Sequence, residues 1–219
     1  MELVSVQVGR SRTVRWHGKP VSTGIYKEPV AGRIMLYRFN LDGDQQADMT
    51  VHGGPDKAVY VYPSEHYPIW QAEFPDLPLP YGMFGENFTT EGLDESSVHI
   101  GDQFRIGGAV VEVTQPRVPC YKLAIKMESR RFPKRFLESA RSGFYLRVLE
   151  EGVVGAGDSI ERTKIEPERV TVRQAVRLAF FEQDNVEMIE QALRVRALSP
   201  EWRSMFQEQL TEAAGPKAG

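Results

Sequence analysis

Ile100-Gly-Asp-Gln-Phe-Arg-Ile-Gly-Gly-Ala-Val-Val-Glu-Val-Thr-Gln-Pro-Arg-Val-Pro-Cys-Tyr-Lys122 carries a fold signal and a chemical one in the same stretch. Gly107-Gly108 falls between two runs of strand character, and Ala109 to Thr114 alternates in polarity, which predicts a β-hairpin. The segment after Thr114 then leaves a strand end, at the rim of a sheet or barrel, where loops tend to carry function. Pro116 and Pro119 fix φ and remove amide donors, so they stiffen this exit. Between them and Tyr121 lies Cys120, the only cysteine in 219 residues. A lone thiol cannot form an internal disulfide, nor build a zinc or iron–sulfur site by itself. It can fill a loop structurally, act as a nucleophile, or serve as one ligand of a metal held mainly by other groups. Arg117 and Lys122 place positive charge nearby in sequence, which favours the thiolate. A thiol with pKa about 8.5 is only a few per cent ionised at pH 7, and making it mostly thiolate takes a depression of roughly 1.5–2 units, or about 2–3 kcal/mol. One cation at about 6 Å in an effective dielectric near 20 supplies that order of energy.

Working outward, the composition is that of a soluble globular chain, 41% apolar and 26% charged. A net charge of −3 gives no general drive toward nucleic acid or anionic membranes. No apolar run is long enough to span a bilayer, and Met1 to Val8 alternates like a strand, without a basic-then-apolar leader. The expectation is a cytoplasmic protein.

Leu3 to Val8 reads as a strand with Val4, Val6 and Val8 on one face. Gly9 to Gly24, basic through Arg10, Arg12, Arg15 and Lys19, reads as a loop. Ser22-Thr-Gly-Ile-Tyr-Lys27 offers donors to an anion, although its spacing is not that of a phosphate-binding P-loop. Ile34 to Phe39 is expected as a strand, and Leu41-Asp-Gly-Asp44 as a tight turn. His52-Gly-Gly-Pro-Asp-Lys-Ala58 has a backbone that can approach a ligand closely, and Ala58 to Tyr62 continues it as a strand. His52 and His66 show no HxH or HExxH spacing, which argues against a histidine metal site. Ser64 to Phe74 reads as a helix capped by Ser64. Phe84-Gly-Glu-Asn-Phe-Thr-Thr90 opens another strand, and its Glu86 and Asn87 need partners if buried.

Beyond the thiol, Ile125 to Ala140 has helical spacing with a basic face formed by Arg130, Arg131, Lys134 and Arg135. Phe144 to Glu150 and Ser159 to Thr163 are further strands, and Gly152, Gly155 and Gly157 punctuate the link between them. After Pro167 the pattern changes to three short helices, Thr171 to Phe181, Asn185 to Ala197 and Ser199 to Leu210, with Thr171, Asn185 (or Asp184) and Ser199 as caps. None is long enough to be stable alone.

Taken together, His52-Gly-Gly-Pro-Asp-Lys-Ala58, Tyr62-Pro-Ser-Glu-His-Tyr67, Phe84-Gly-Glu-Asn-Phe88, Ile100-Gly-Asp-Gln-Phe104 and Gln115-Pro-Arg-Val-Pro-Cys-Tyr-Lys-Leu123 resemble the MOSC domain, in its bacterial YiiM form. The resemblance implies a mainly β, barrel-type domain over residues 1–165 and a three-helix C-terminal segment over 166–219, α+β overall. It further implies binding of molybdenum cofactor (molybdopterin), with Cys120 as the molybdenum ligand and catalytic centre. His52, Gly53, Asn87 and Arg117 are implied as cofactor-binding, with Thr23, Lys27 and Lys57 as partners of the cofactor phosphate. The implied activity is reduction of N-hydroxylated compounds, such as 6-N-hydroxylaminopurine base analogues, to their amino forms. One cysteine and no dinucleotide fingerprint leave no evident second redox centre. If the chain is a reductase, a separate electron donor is therefore expected; the resemblance implies an NADPH-dependent flavoprotein in that part, and the basic helix around Arg130 to Arg135 is its candidate docking patch. Two alternatives stay open: a cofactor carrier without turnover, and a metal-free thiol enzyme using Cys120.

Overall fold

A computed structural model of the chain describes residues 1–45 and 53–214. The strands are β1 (Glu2–Val8), β2 (Arg12–Trp16), β3 (Lys19–Thr23), β4 (Glu28–Pro29), β5 (Arg33–Leu36), β6 (Val59–Pro63), β7 (Phe88–Glu91), β8 (Gln103–Ile106), β9 (Ala109–Pro116), β10 (Phe144–Glu150), β11 (Gly152–Gly155) and β12 (Ile160–Lys164). The helices are α1 (Tyr67–Glu73), α2 (Tyr121–Lys126), α3 (Phe132–Glu138), α4 (Val172–Phe180), α5 (Val186–Arg194) and α6 (Pro200–Ala214). Eight strands form one sheet in the order β12-β8-β9-β10-β6-β7-β1-β4. The sheet curls until β1 meets β12: the Leu3 N–H donates to the Asp158 carbonyl at 2.9 Å, and the Ile160 N–H to the Met1 carbonyl at 2.9 Å. That closure removes the open edges a twisted sheet would otherwise expose. The architecture is mainly β with helices added, α+β overall.

The Gly107-Gly108 turn forms as expected, with Ile106 opposite Ala109. Gly107 has φ +54° and needs to be glycine twice over, because a Cβ there would stand 2.7 Å from the Val153 carbonyl oxygen. The alternation in β9 predicts one wet face, yet all eight of its residues are buried. One face lies in the barrel core, and α4 packs against the strand as well.

Several local expectations are corrected. Leu3 and Val6 are both buried although they sit on opposite faces of a regular strand, because a bulge between Leu3 and Ser5 shifts the register. The expected loop from Gly9 to Gly24 contains a hairpin, β2 against β3, turning at His17-Gly18 with φ +50° and +76°. Both central residues in the left-handed region match the twist of the flanking strands. Gly152 to Gly155 is not a mere link but strand β11, paired with β5. Ser64 caps no helix; a 3-10 turn, Ser64–His66, leads into α1, and Pro68 occupies its first turn. The expected helix from Ile125 to Ala140 is broken into α2 and α3 by a turn in which Glu128 takes φ +51°.

The C-terminal caps hold. The Thr171 hydroxyl accepts from the Gln174 N–H at 3.1 Å in a capping box, and Asn185 Oδ1 accepts from Met188 at 3.3 Å. Ala175, Val176, Ile189, Trp202 and Phe206 are buried together with barrel residues in one core. A second, aromatic core, containing Tyr60, Tyr62, Trp70, Phe84, Phe132 and Phe136, backs one end of the barrel.

Candidate functional site

At that end a cleft open to solvent is lined by residues from six separate parts of the chain. Thr23 comes from the end of β3, Lys57 from the 3-10 turn Pro55–Lys57, Asn87 from the entry to β7, and Arg117 and Cys120 from the exit of β9. Lys27 and Lys122 also line it. Six of the eight residues singled out in the sequence therefore meet at one cleft. Gly53 is half-buried and is not part of the lining, and His52 lies outside the described residues.

Cys120 is half-buried and lines the cleft rather than being sealed in the core. It occupies the N-cap position of α2 with extended backbone, φ −117° and ψ 172°. Arg117 is electrostatically coupled to it.

Arg117 is the least conventional group in the cleft. It is only 5% exposed, and among the described residues its Nη1 has no hydrogen-bond partner and it makes no ion pair with a carboxylate. Its guanidinium instead stands 5.3 Å from the Tyr60 ring centroid and 5.2 Å from that of Phe136. A buried cation with an unmet donor is costly unless something anionic completes it.

The charge of Lys27 is already matched. The Lys27 ammonium contacts Asp44, a buried carboxylate that the sequence reading passed over as part of a turn. Asp44 also accepts from the Gly9 N–H at 2.8 Å and from Asn87 Nδ2 at 3.0 Å. Burial pulls the Lys27 pKa down, and Asp44 opposes that. The amide of Asn87 is committed to protein: Oδ1 accepts from the Tyr60 N–H at 3.2 Å, and Nδ2 also reaches the Gln7 carbonyl at 3.2 Å. Asn87 thus ties β1, β6 and Asp44 together. The Thr23 hydroxyl accepts from Ile25 N–H at 3.2 Å. Glu86, fully buried, organises the loop before β7 by accepting from the Gly82 N–H at 2.6 Å, the Phe84 N–H at 3.1 Å and the Tyr67 hydroxyl.

Sequence reasoning also missed Tyr145 and Lys126. Tyr145 lines the cleft and is coupled to both Arg117 and Cys120, and burial raises its pKa, so its hydroxyl keeps its proton at neutral pH. Lys126 donates to the Ile25 carbonyl at 3.0 Å and to that of Gly82, tying two loops near the cleft together. Burial pulls its pKa down to about 8. Nothing in one sequence distinguishes this lysine from its exposed neighbours.

A closed barrel with a cleft at its rim and a helical tail is the architecture of the YiiM-like MOSC proteins. The chain belongs to that family: the MOSC domain matches residues 48–161, and the YiiM-like, 3-alpha helix domain matches residues 170–213. The chain is 45% identical over 204 residues to YflK of Bacillus subtilis (strain 168), covering 93% of this chain and 92% of that one. It is 37% identical over 193 residues to YiiM of Escherichia coli (strain K12), covering 87% and 85%. A protein of Gibberella moniliformis named Reductase is 36% identical over 161 residues, 72% of this chain but 28% of the fungal one. The crystal structure of YiiM from Geobacillus stearothermophilus superposes with a TM-score of 0.82 at 35% identity, covering 95% of this chain and 98% of the other. Among the described residues no helix is long and apolar enough to cross a membrane, and no group of His, Cys, Asp and Glu could hold a metal ion unaided.

Proposed function

We propose that the chain is a molybdenum-cofactor-dependent oxidoreductase that reduces N-hydroxylated compounds to the amino forms. The observation that carries this reading is Arg117: a buried guanidinium whose Nη1 is unmet among the described residues, lining the same cleft as the only thiol in the sequence. Such a pair suits a ligand that offers a soft metal to sulfur and an anionic part to a cation. Family membership and the fungal relative named Reductase support the same direction.

When bound, the cofactor supplies two-electron, oxygen-abstracting chemistry. Overall, R–NHOH takes up two electrons and two protons; the N–O bond breaks, and the oxygen leaves as water. Cys120 would be the one protein ligand to the metal, held as thiolate by Arg117. Arg117, Lys122 and Lys57 would hold the cofactor's anionic groups. Lys27 is matched by Asp44, so it contributes less net charge than its position suggests. Tyr145 presents a protonated hydroxyl at the cleft wall and can donate a hydrogen bond to a substrate oxygen. The buried aromatic wall of Tyr60 and Phe84 excludes water and offers flat apolar surface. A single cysteine cannot hold an iron–sulfur cluster, so electrons would arrive from a separate donor, an NADPH-dependent flavoprotein in this reading.

The test is elemental analysis of protein purified from a cofactor-producing host, paired with Cys120→Ala and with wild-type protein from a cofactor-deficient host. Stoichiometric molybdenum is expected only in the first, together with donor-dependent loss of an aromatic hydroxylamine. Because Cys120 is half-buried, Cys120→Ala should melt within about 2 °C of the cofactor-free wild type. Molybdenum without turnover would leave a carrier, and thiol-dependent turnover without molybdenum would leave a thiol enzyme.

A further inference from the structure

A side chain of the three-helix segment meets a lysine of the cleft wall. Glu201, in the first turn of α6, meets the Lys57 ammonium with Oε2 at 2.6 Å from Nζ. Its charge is also felt at Tyr145, on the cleft wall. The turn that carries Lys57 is itself fixed. Arg147 Nε donates to Asp56 Oδ1 at 2.7 Å, the Thr114 hydroxyl donates to the Asp56 carbonyl at 2.6 Å, and the Ser199 N–H reaches the Thr114 carbonyl at 3.3 Å. A rigid base with one long, flexible cationic arm leaves the position of the ammonium to whichever anion holds it. Glu201 is 63% exposed on its side chain and Lys57 is 14% exposed, so the carboxylate sits outside and the ammonium is shared with the cleft.

We propose that Glu201 is a positioning residue for the cleft: it holds the Lys57 ammonium at the wall and competes for it with a phosphate-type anion bound inside. The three-helix segment thereby sets the anion affinity of a site built otherwise by the barrel. This rests on reading the cleft as the seat of a phosphate-bearing cofactor, but its test does not depend on turnover.

The chain purified from a cofactor-deficient host would be titrated calorimetrically with inorganic pyrophosphate. Glu201→Gln should tighten binding about three- to fivefold, the range a partly exposed ion pair commands. Lys57→Gln should weaken it, and the double variant should match Lys57→Gln within about twofold, because the effect of Glu201 runs through that lysine. Glu201→Asp should restore wild-type affinity. Damage to the fold cannot produce tighter binding, so the sign separates positioning from a merely structural contact. Unchanged or weaker binding in Glu201→Gln, equal tightening in the Lys57→Gln background, or no pyrophosphate binding by the wild type would each overturn the proposal. Molybdenum analysis of cofactor-loaded protein reports separately on the function: metal present with no Glu201 effect sinks only this inference, and the reverse result sinks only the cofactor.

Discussion

Replacing Asn87 with alanine separates a structural tie from a ligand contact. The side chain makes three hydrogen bonds to buried groups: from the Tyr60 N–H at 3.2 Å, to the Gln7 carbonyl at 3.2 Å and to Asp44 at 3.0 Å. Each is worth about 1 kcal/mol net, and leaving a buried partner unmet costs somewhat more, so the loss should be about 3–4 kcal/mol. For a chain of this size each kcal/mol lowers Tm by about 2–4 °C, which gives a fall of roughly 6–16 °C. Differential scanning calorimetry should compare cofactor-free wild type and variant, so that ligand binding does not contribute to the difference. Asn87→Asp keeps the shape but turns two donors into acceptors facing Asp44. Burial and that neighbour would raise the pKa of the new carboxyl in the folded state. The variant would therefore be least impaired below about pH 4, where the carboxyl is protonated even when unfolded, and would lose stability relative to wild type as pH rises toward 7. A melting point for Asn87→Ala within 2 °C of wild type, combined with loss of molybdenum, would refute the argument and make Asn87 a ligand contact.

Lys126 predicts a pH dependence of the opposite kind. Its folded-state pKa, pulled down by burial to about 8, lies below its ordinary value, so the folded state binds fewer protons than the unfolded one above that pH. Stability should therefore rise from about pH 8 to 10, by up to about 1.4 kcal/mol per pH unit from this group. Lys126→Met should flatten that rise in urea titrations without abolishing it, because Lys27 shifts in the same direction; an unaltered slope would show that Lys126 keeps its charge. The proposed donor patch is testable at Arg131 and Lys134, both exposed, Lys134 with only a loose surface pair to Glu138 at 3.7 Å, whereas Arg135 is bound to Glu73 at 2.9 Å and Arg130 to His17 at 3.0 Å. Arg131→Glu with Lys134→Glu should slow turnover severalfold with a flavoprotein donor and leave it unchanged with an artificial one. Equal loss with both donors would remove the patch.

The chain order itself determined a good deal. The Gly107-Gly108 turn, the strand that runs into Cys120, and the three capped helices after Pro167 are local events. They depend on backbone freedom, on alternation, and on side chains that cap within three residues, so a linear reading reaches them. The blocks around His52 and Cys120 marked the family for the same reason. What lay beyond reach is whatever depends on partners distant in sequence. Asp44 reads as one residue of a turn until folding brings it to Lys27 and Asn87, and Glu201 reads as a helix-start acid until α6 lands beside Lys57. The two buried faces of β9 and the break between α2 and α3 likewise depend on what packs against them. Arg117 shows the division most plainly: its charge was visible in the sequence, but only burial among Tyr60, Phe136 and Tyr145 turned that charge into a demand for an anion. Desolvation is a property of the surrounding fold, and no spacing of residues along a chain encodes it directly.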